Sequence, residues 1–271
     1  MRRRVPSRRG VGAVVTVAIL VAIAAAFLGV TAAGGEEVQR GDLIVSLDGG
    51  LSPLTLPRHE QAPVAVELSG RLRTTDGSLP PQVNRFELRL PRRARIDGRG
   101  LPVCPAARLE YTTPAEAMTA CGSALIGRGT LGADVKLPNQ APFAVDAGVL
   151  AFNARVGGRP GVVLHAFAGD PPTTIVVPFA ITEGGGRLGT RLTAHLDRAL
   201  GPWPRITSFD IRLFRRFVRG GRPASYLSAS CPIPPRLTAG FFSLAQLSVT
   251  LPGGRRIGVG IARGCRARPE R

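Results

Sequence analysis

Short runs in which apolar and polar residues alternate recur along most of the chain, and this period of two constrains the fold more than any other feature. In one run Val64, Val66 and Leu68 alternate with small or polar residues, and in another Phe86 and Leu88 alternate with charged residues. Such alternation places apolar side chains on one face of a strand and polar side chains on the other. The pattern therefore predicts half-buried β-strands.

Glycine and proline separate these runs. The chain contains 34 glycines and 24 prolines, and both residues disfavour the interior of a helix. Groups of glycines lie between apolar runs, as expected at hairpin turns; they are Gly157-Gly158, Gly184-Gly185-Gly186, Gly220-Gly221 and Gly253-Gly254. The sequence thus predicts an all-β fold of antiparallel, β-sandwich-like modules and excludes a helical bundle.

One segment departs from the strand pattern and predicts a short helix. Thr113 is a helix-capping residue type, Pro114 suits the first helical position, and Glu116 completes a capping box with Thr113. Gly122 is typical of the position that follows the last helical residue. We therefore expect this helix to end at Cys121.

The N-terminus has the pattern of an export signal. Five arginines precede an uncharged run at residues 11–30, and small residues follow it before Glu36. The arginines favour a cytoplasmic location for this end and export of the remainder. The run is longer than the apolar core of an ordinary signal peptide and long enough to span a bilayer. Residues 1–35 are predicted to be a cleaved signal peptide or an uncleaved plasma-membrane anchor helix, and the bulk is extracytoplasmic in either case.

Four cysteines follow the predicted export segment, namely Cys104, Cys121, Cys231 and Cys265. An even number in an oxidising compartment predicts two disulfides. Four cysteines allow three pairings, of which we favour nearest neighbours, Cys104 with Cys121 and Cys231 with Cys265. The sequence has no Cys-x-x-Cys pair and its three histidines are scattered, so neither a metal site nor a cofactor is expected.

One stretch of sequence recurs at a constant offset of 123 residues. Residues 81–93 read PQVNRFELRLPRR and residues 204–216 read PRITSFDIRLFRR, with six of thirteen positions identical. A Cys-Pro pair follows each copy. The simplest interpretation is a duplicated β-module with one disulfide per copy, and we place the two modules at residues 36–140 and 141–271. Strands exchanged between the copies would instead make one continuous unit.

The formal net charge is +18, and all but one of the 36 basic residues are arginine. Such an excess attracts anionic polymers or lipid surfaces. Arginines at the ends of the two copies are candidate anion-binding residues; they are Arg92, Arg93, Arg212, Arg215, Arg216 and Arg219. Phe214 lies among them, on the polar side of its strand, where it either forms a contact surface or is covered by the neighbouring module. The expected partner is an anionic envelope polymer or a lipid surface; nucleic acid is not expected, because the chain is exported.

No motif identifies a catalytic centre. A glycine pattern at residues 127–132 lacks the following helix that a dinucleotide site requires. His165 with Asp170 and His195 with Asp197 are potential acid–base pairs, but no Gly-x-Ser-x-Gly nucleophile motif accompanies them. We predict no catalytic residues, and the alternative is a secreted hydrolase with dispersed catalytic residues.

Three segments resemble those of uncharacterised exported proteins of high-GC actinobacteria. They are Leu101-Pro-Val-Cys-Pro, Cys121-Gly-Ser-Ala-Leu-Ile-Gly-Arg-Gly and Ser225-Tyr-Leu-Ser-Ala-Ser-Cys-Pro. The resemblance is consistent with export and a β fold, and it implies no catalytic residues. We therefore expect a non-catalytic extracytoplasmic β-sandwich protein that binds or scaffolds at the cell envelope.

Overall fold

The computed structural model describes residues 35–186 and 188–269. The predicted anchor run at residues 11–30 lies outside the described residues, as does all of the predicted export segment except Gly35. Within the described part of the chain, no helix is long and apolar enough to cross a bilayer.

Strands dominate the described residues, as the alternation predicts. They are β1 (Glu36–Arg40), β2 (Leu43–Ser52), β3 (Thr55–Leu56), β4 (Ala62–Pro63), β5 (Ala65–Thr74), β6 (Arg85–Pro91), β7 (Ala94–Ile96), β8 (Leu125–Val135), β9 (Phe143–Val156), β10 (Arg159–Gly169), β11 (Pro172–Glu183), β12 (Leu188–His195), β13 (Pro204–Leu213), β14 (Arg216–Arg219), β15 (Arg222–Ser225), β16 (Leu227–Ala229), β17 (Ala239–Thr250) and β18 (Arg256–Ala267).

The predicted helix is present as α1 (Pro114–Cys121). The Thr113 hydroxyl accepts a hydrogen bond from the backbone N–H of Glu116, and the Glu116 carboxylate accepts one from the backbone N–H of Thr113. This reciprocal capping box fixes the start of the helix. A second short helix, α2 (Leu196–Leu200), follows β12 directly and was not predicted.

In the part of the chain that the structure describes, thirteen strands form one continuous curled sheet, in the order β1-β2-β5-β13-β8-β9-β10-β11-β12-β6-β17-β18-β3. Every neighbouring pair is antiparallel except β18 with β3. The sheet curls until β18 meets β1 and β2. There the backbone N–H of Ala262 donates to the Glu36 carboxylate at 3.3 Å, and the Arg263 guanidinium donates to the Gly49 carbonyl at 2.5 Å.

The sheet does not divide near residue 140. Strand β13 lies between β5 and β8, and β6 lies between β12 and β17, so each predicted module surrounds a strand of the other. The chain from Gly35 onward forms one compact unit. Strands from residues 36–140 and strands from residues 141–271 are therefore interleaved in one continuous main sheet of the described residues.

The alternating strand directions place each connection at one of two ends of the sheet. Connections β2–β5, β6–β8, β9–β10, β11–β12 and β13–β17 share one end, which we call the long-loop end. The other connections, including α2, share the short-loop end. The long-loop end also carries a three-stranded sheet, β4-β16-β7, and a separate hairpin, β14–β15. Most irregular structure is thus concentrated at one end.

The disulfides join Cys104 to Cys121 and Cys231 to Cys265, which is the predicted nearest-neighbour pairing. The first holds the segment that contains α1 against the outer face of β9 and β10. Leu109 and Ala117 of that segment pack with Phe152 in a small apolar cluster. The second disulfide ties the β13–β17 connection to the end of β18. The second disulfide therefore anchors a long connection to the main sheet, whereas the first closes a loop within the β6–β8 connection.

Candidate functional site

The inner face of the curled sheet forms an elongated, partly open apolar cavity of about 140 Å³. Strands from both halves of the chain line it, from β2 and β5 round to β6 and β17. Several apolar side chains on its wall are only half-buried; examples are Val66, Leu131, Leu164, Phe209 and Leu213. Their alternation places them on the face of the sheet that should pack a core. Here, however, the side chains do not fill the space between them.

The length of the cavity follows the strands. On β13 the lining runs from Ile206 to Leu213, a stretch of about 23 Å at roughly 3.3 Å per residue. Leu196 and Leu200 of α2 line it toward the short-loop end. Val66, the register partner of Leu213, lines it toward the long-loop end. This elongated shape fits an extended, chain-like molecule better than a flat, round one.

Three phenylalanines meet in the cavity wall. The Phe86 ring lies edge-to-face with Phe179, at 5.8 Å between centroids, and with Phe209, at 5.6 Å. Phe86 and Phe209 occupy the same position in the two copies of the recurring stretch. Gly70 leaves room for the Phe209 ring, since a Cβ there would lie 2.4 Å from Phe209 Cε1. The two recurring strands thus contribute equivalent side chains to one wall.

The polar residues of the wall lie on four strands of one region of the sheet. They are Ser46 on β2, Arg71 on β5, Thr130 on β8, and Thr207 and Ser208 on β13. Arg71 is in register with Ser46 and with Ser208. The remainder of the lining is almost entirely apolar, so the cavity offers few hydrogen-bond partners for water.

The six candidate arginines lie toward the long-loop end, two in the β6–β7 turn, one near the end of β13 and three in the connection that follows it. Arg92 packs against Gly189 of β12, and Arg93 begins the turn to β7. Arg212 pairs with Glu67 at 3.2 Å, and Arg219 pairs with Asp97 at 2.8 Å. The remaining two differ in exposure: Arg215 is half-buried and donates to the Ser123 carbonyl at 3.5 Å, whereas Arg216 is exposed on β14.

Phe214 lies in the open beside these arginines. Its side chain is 50% exposed, and the Arg212 guanidinium carbon lies 5.3 Å from its ring centroid. The alternative in which a neighbouring module covers Phe214 is therefore wrong. The backbone N–H of Phe214 donates to the Ile126 carbonyl at 2.8 Å, so the backbone is held by the main sheet while the side chain faces solvent.

A buried carboxylate on the outer face of β6 was missed by the sequence reasoning. The Glu87 side chain is 6% exposed and accepts from Arg89 at 2.7 Å and from Arg85 at 3.3 Å, with Arg191 at 3.7 Å. Burial acts to raise the pKa of Glu87, but the hydrogen bond from Arg89 and the charges of the three arginines outweigh it and lower the pKa. From the alternation alone, one can predict only that Glu87 lies on the opposite face of the strand from Phe86 and Leu88.

The structure does not join the histidines to carboxylates. His165 is fully buried on the outer face of β10, where its Nε2 lies 2.9 Å from the Thr112 carbonyl and 3.2 Å from the Thr112 hydroxyl. His195 is exposed at the start of α2. Neither histidine makes an ion pair or hydrogen bond with a carboxylate of the described residues. The two potential acid–base pairs are thus not formed.

Among residues 35–186 and 188–269, no group of three or more His, Cys, Asp or Glu side chains is arranged to hold a metal ion. Comparison with protein-family models, with curated proteins and with solved structures gives no match. The cavity and the arginine-rich end are therefore interpreted from their own geometry.

Proposed function

We propose that this protein is a non-catalytic component of the cell envelope that holds the apolar chain of a lipid inside its curled sheet. The observation that carries the proposal is the elongated apolar cavity of about 140 Å³. A single buried water needs roughly 10–15 Å³ of cavity volume together with two to four polar partners. Large cavities lined by apolar side chains stay dry and accept apolar molecules.

The energetic cost of the cavity also supports a ligand. Fully enclosed empty volume in a protein core costs about 24 cal/mol per Å³, so for a partly open cavity of this size the cost is at most about 3 kcal/mol. Domains are typically stable by only about 5–15 kcal/mol. Larger side chains at a few positions would remove this cost. A ligand that fills the cavity removes this cost, and the space becomes available again when the ligand leaves.

The predicted location of the protein also supports the proposal. The N-terminal pattern predicts export, and the two disulfides are compatible with an extracytoplasmic protein. Lipids are the abundant chain-shaped apolar molecules of the envelope. A lipid chain therefore matches the predicted compartment, the length of the cavity and its lining.

We also propose that the two halves are duplicated modules that exchanged one strand. When the chain is divided at the β9–β10 turn instead of at residue 140, and the two-residue strand β3 is set aside, each part supplies six strands to the sheet; these are β1, β2, β5, β6, β8 and β9 from the first part and β10, β11, β12, β13, β17 and β18 from the second. In the sheet order, the fourth strand of each set of six belongs to the other half. The exchanged strands β6 and β13 carry the two copies of the recurring sequence, which supports a common origin.

The lipid proposal is tested with palmitic acid and the compact unit from Gly35 onward. Native mass spectrometry after incubation should show one fatty acid per protein. Leu164→Trp puts a larger side chain into the cavity and should weaken uptake at least tenfold without lowering the melting temperature. Leu237→Trp changes an exposed leucine and should bind as the wild type does.

Two outcomes would contradict the proposal. One is that the wild-type protein binds no fatty acid at concentrations below micelle formation. The other is that Leu164→Trp and Leu237→Trp bind equally well, which would place the fatty acid on the outer surface.

A further inference from the structure

A hairpin stands apart from the main sheet at the long-loop end. Strands β14 and β15 pair only with each other, from Arg216 opposite Ser225 to Arg219 opposite Arg222. The turn between them is Gly220-Gly221, and both glycines have positive φ. We call residues 214–225 the basic hairpin.

The basic hairpin has an anchored face and an open face. Phe217 is half-buried and packs against the main core. Phe214, Arg216 and Val218 alternate with the half-buried residues and face solvent, and Val218 is 69% exposed. An aromatic, a cationic and an aliphatic side chain thus share an exposed strip on a segment that is fixed by its other face.

The charged residues of the basic hairpin are all arginine. Arg216, Arg219 and Arg222 lie on the hairpin, and no acidic residue occurs in the sequence between Asp210 and Glu270. Arg219 is held by Asp97. Arg216 and Arg222 form no ion pair with any carboxylate of the described residues, so their charges are available to a partner.

We propose that the basic hairpin docks on an anionic lipid bilayer. The arginines are attracted to lipid phosphates, and Val218 and Phe214 supply apolar side chains that enter the boundary between headgroups and acyl chains. A hydrated anionic polymer would engage the arginines but would leave the two exposed apolar side chains in water. The combination of both kinds of side chain on one strip therefore favours a bilayer.

Docking goes beyond the lipid-holding function and does not require it. It does, however, position the cavity. Leu213 lines the cavity at the end of β13, and Arg216 follows three residues later. A docked hairpin thus brings the long-loop end of the cavity to the membrane surface, where a lipid chain would enter or leave.

The test uses sedimentation of the unit from Gly35 onward with phosphatidylcholine vesicles, with and without 30% phosphatidylglycerol. Binding should require the anionic lipid and weaken with added salt. Arg216→Gln with Arg222→Gln should weaken it about tenfold or more, since each arginine near an anionic surface contributes roughly a factor of five. Val218→Ser should weaken binding while the charge is unchanged.

The matched control removes two arginines at the opposite end. Arg198 and Arg256 are exposed at the short-loop end, so Arg198→Gln with Arg256→Gln lowers the net charge equally and should leave vesicle binding within about twofold. All these side chains are exposed, and an unchanged melting temperature verifies folding. Palmitic acid uptake should be unchanged in the hairpin variants, which separates failure of docking from failure of the lipid-holding function.

Three results would overturn the proposal. The first is equal binding to vesicles with and without phosphatidylglycerol. The second is an equal loss in the hairpin variant and the control variant, which would indicate a general charge effect. The third is that Val218→Ser has no effect while soluble dextran sulfate binds as tightly as the vesicles do, which would identify the partner as an anionic polymer.

Discussion

Glu87 holds three arginines together on the outer face of β6. Its carboxylate accepts from Arg85 and Arg89 of the same strand and lies 3.7 Å from Arg191 of β12. Hydrogen bonds to charged groups are worth roughly 1.5–3 kcal/mol, but the arginines are each about one-third exposed, and solvent screens part of the interaction. Without the carboxylate, three guanidinium groups would face one another across two strands.

We predict that Glu87→Gln lowers the free energy of unfolding by about 1–2 kcal/mol at pH 7. The pKa of Glu87 is lower in the folded protein than in the unfolded chain. Its stabilisation is therefore present above the unfolded-state pKa and is lost as the pH falls through the folded-state value. Urea unfolding between pH 7 and pH 3 should show wild type and variant converge at the acidic end.

Glu67→Gln is the control, because the Glu67–Arg212 pair is mostly exposed. Exposed pairs contribute little, so this variant should be less destabilised than Glu87→Gln. A pH-independent difference between Glu87→Gln and wild type would show that the loss comes from packing and not from the charge.

The glycine pattern at residues 127–132 shows how much of the fold can be predicted from the local sequence. Without a following helix it predicts a bend or bulge in a strand, and β8 indeed contains a bulge between Leu125 and Gly127. Glycine is required at position 129 because a strand distant in the sequence packs closely against this residue. A Cβ there would lie 2.0 Å from the Asp210 carbonyl oxygen of β13. No pattern within β8 reveals that β13 is its neighbour.

At the scale of elements, the connection that carries α1 is a cover for the outer face of the sheet. Its capping box and its end at Cys121 follow from the sequence, but the surface that it covers does not. Thr112, just before the helix, contacts His165 on β10, and the Cys104–Cys121 disulfide closes the segment. The burial of His165 is thus explained by a local cover.

We predict that Cys104→Ser with Cys121→Ser destabilises the protein by about 3 kcal/mol, as expected for a disulfide that closes a short loop, and uncovers His165. Histidine labelling by diethyl pyrocarbonate, followed by peptide mass spectrometry, measures the exposure. In the wild type the exposed His59 and His195 should react and the buried His165 should not. In the variant all three should react.

Cys231→Ser with Cys265→Ser removes the other disulfide, which lies away from this cover. It should destabilise the protein to a similar degree and leave His165 protected under native conditions. If His165 stays unreactive in both variants, the cover is held by apolar packing of Leu109 and Ala117 and the disulfide contributes little to its closure.

At the scale of the whole molecule, the strand content follows from the sequence but the strand order does not. Alternation shows that β6 and β13 each bury one face, and it says nothing of which strands flank them. Residues 81–93 and 204–216, which contain these two strands, are identical at six of thirteen positions. The local sequence therefore does not indicate which strands lie beside each of them. The cavity was also beyond sequence reasoning, because it depends on how side chains from many strands fail to fill one space.

Because β6 and β13 each lie between two strands of the other half, we predict that neither half folds alone. Without residues 141–271, β5 and β8 would lose β13, the strand between them, and would expose two unpaired edges that favour aggregation. We expect residues 36–140 and residues 141–271, expressed separately, to lack cooperative thermal unfolding. Expressed together, they should assemble into a one-to-one complex that unfolds in a single transition.

The complex should be noncovalent, because each disulfide lies within one half. Gel electrophoresis under denaturing, non-reducing conditions should therefore show two separate bands and no covalently linked species of their combined mass. The cut also falls in the exposed β8–β9 connection, where a break disturbs the least packing. Two independently folded monomers, each with its own sharp transition, would show that β6 and β13 can return to their own halves. The exchanged order would then be one of two accessible arrangements, and the tandem modules would be the fold of each half in isolation.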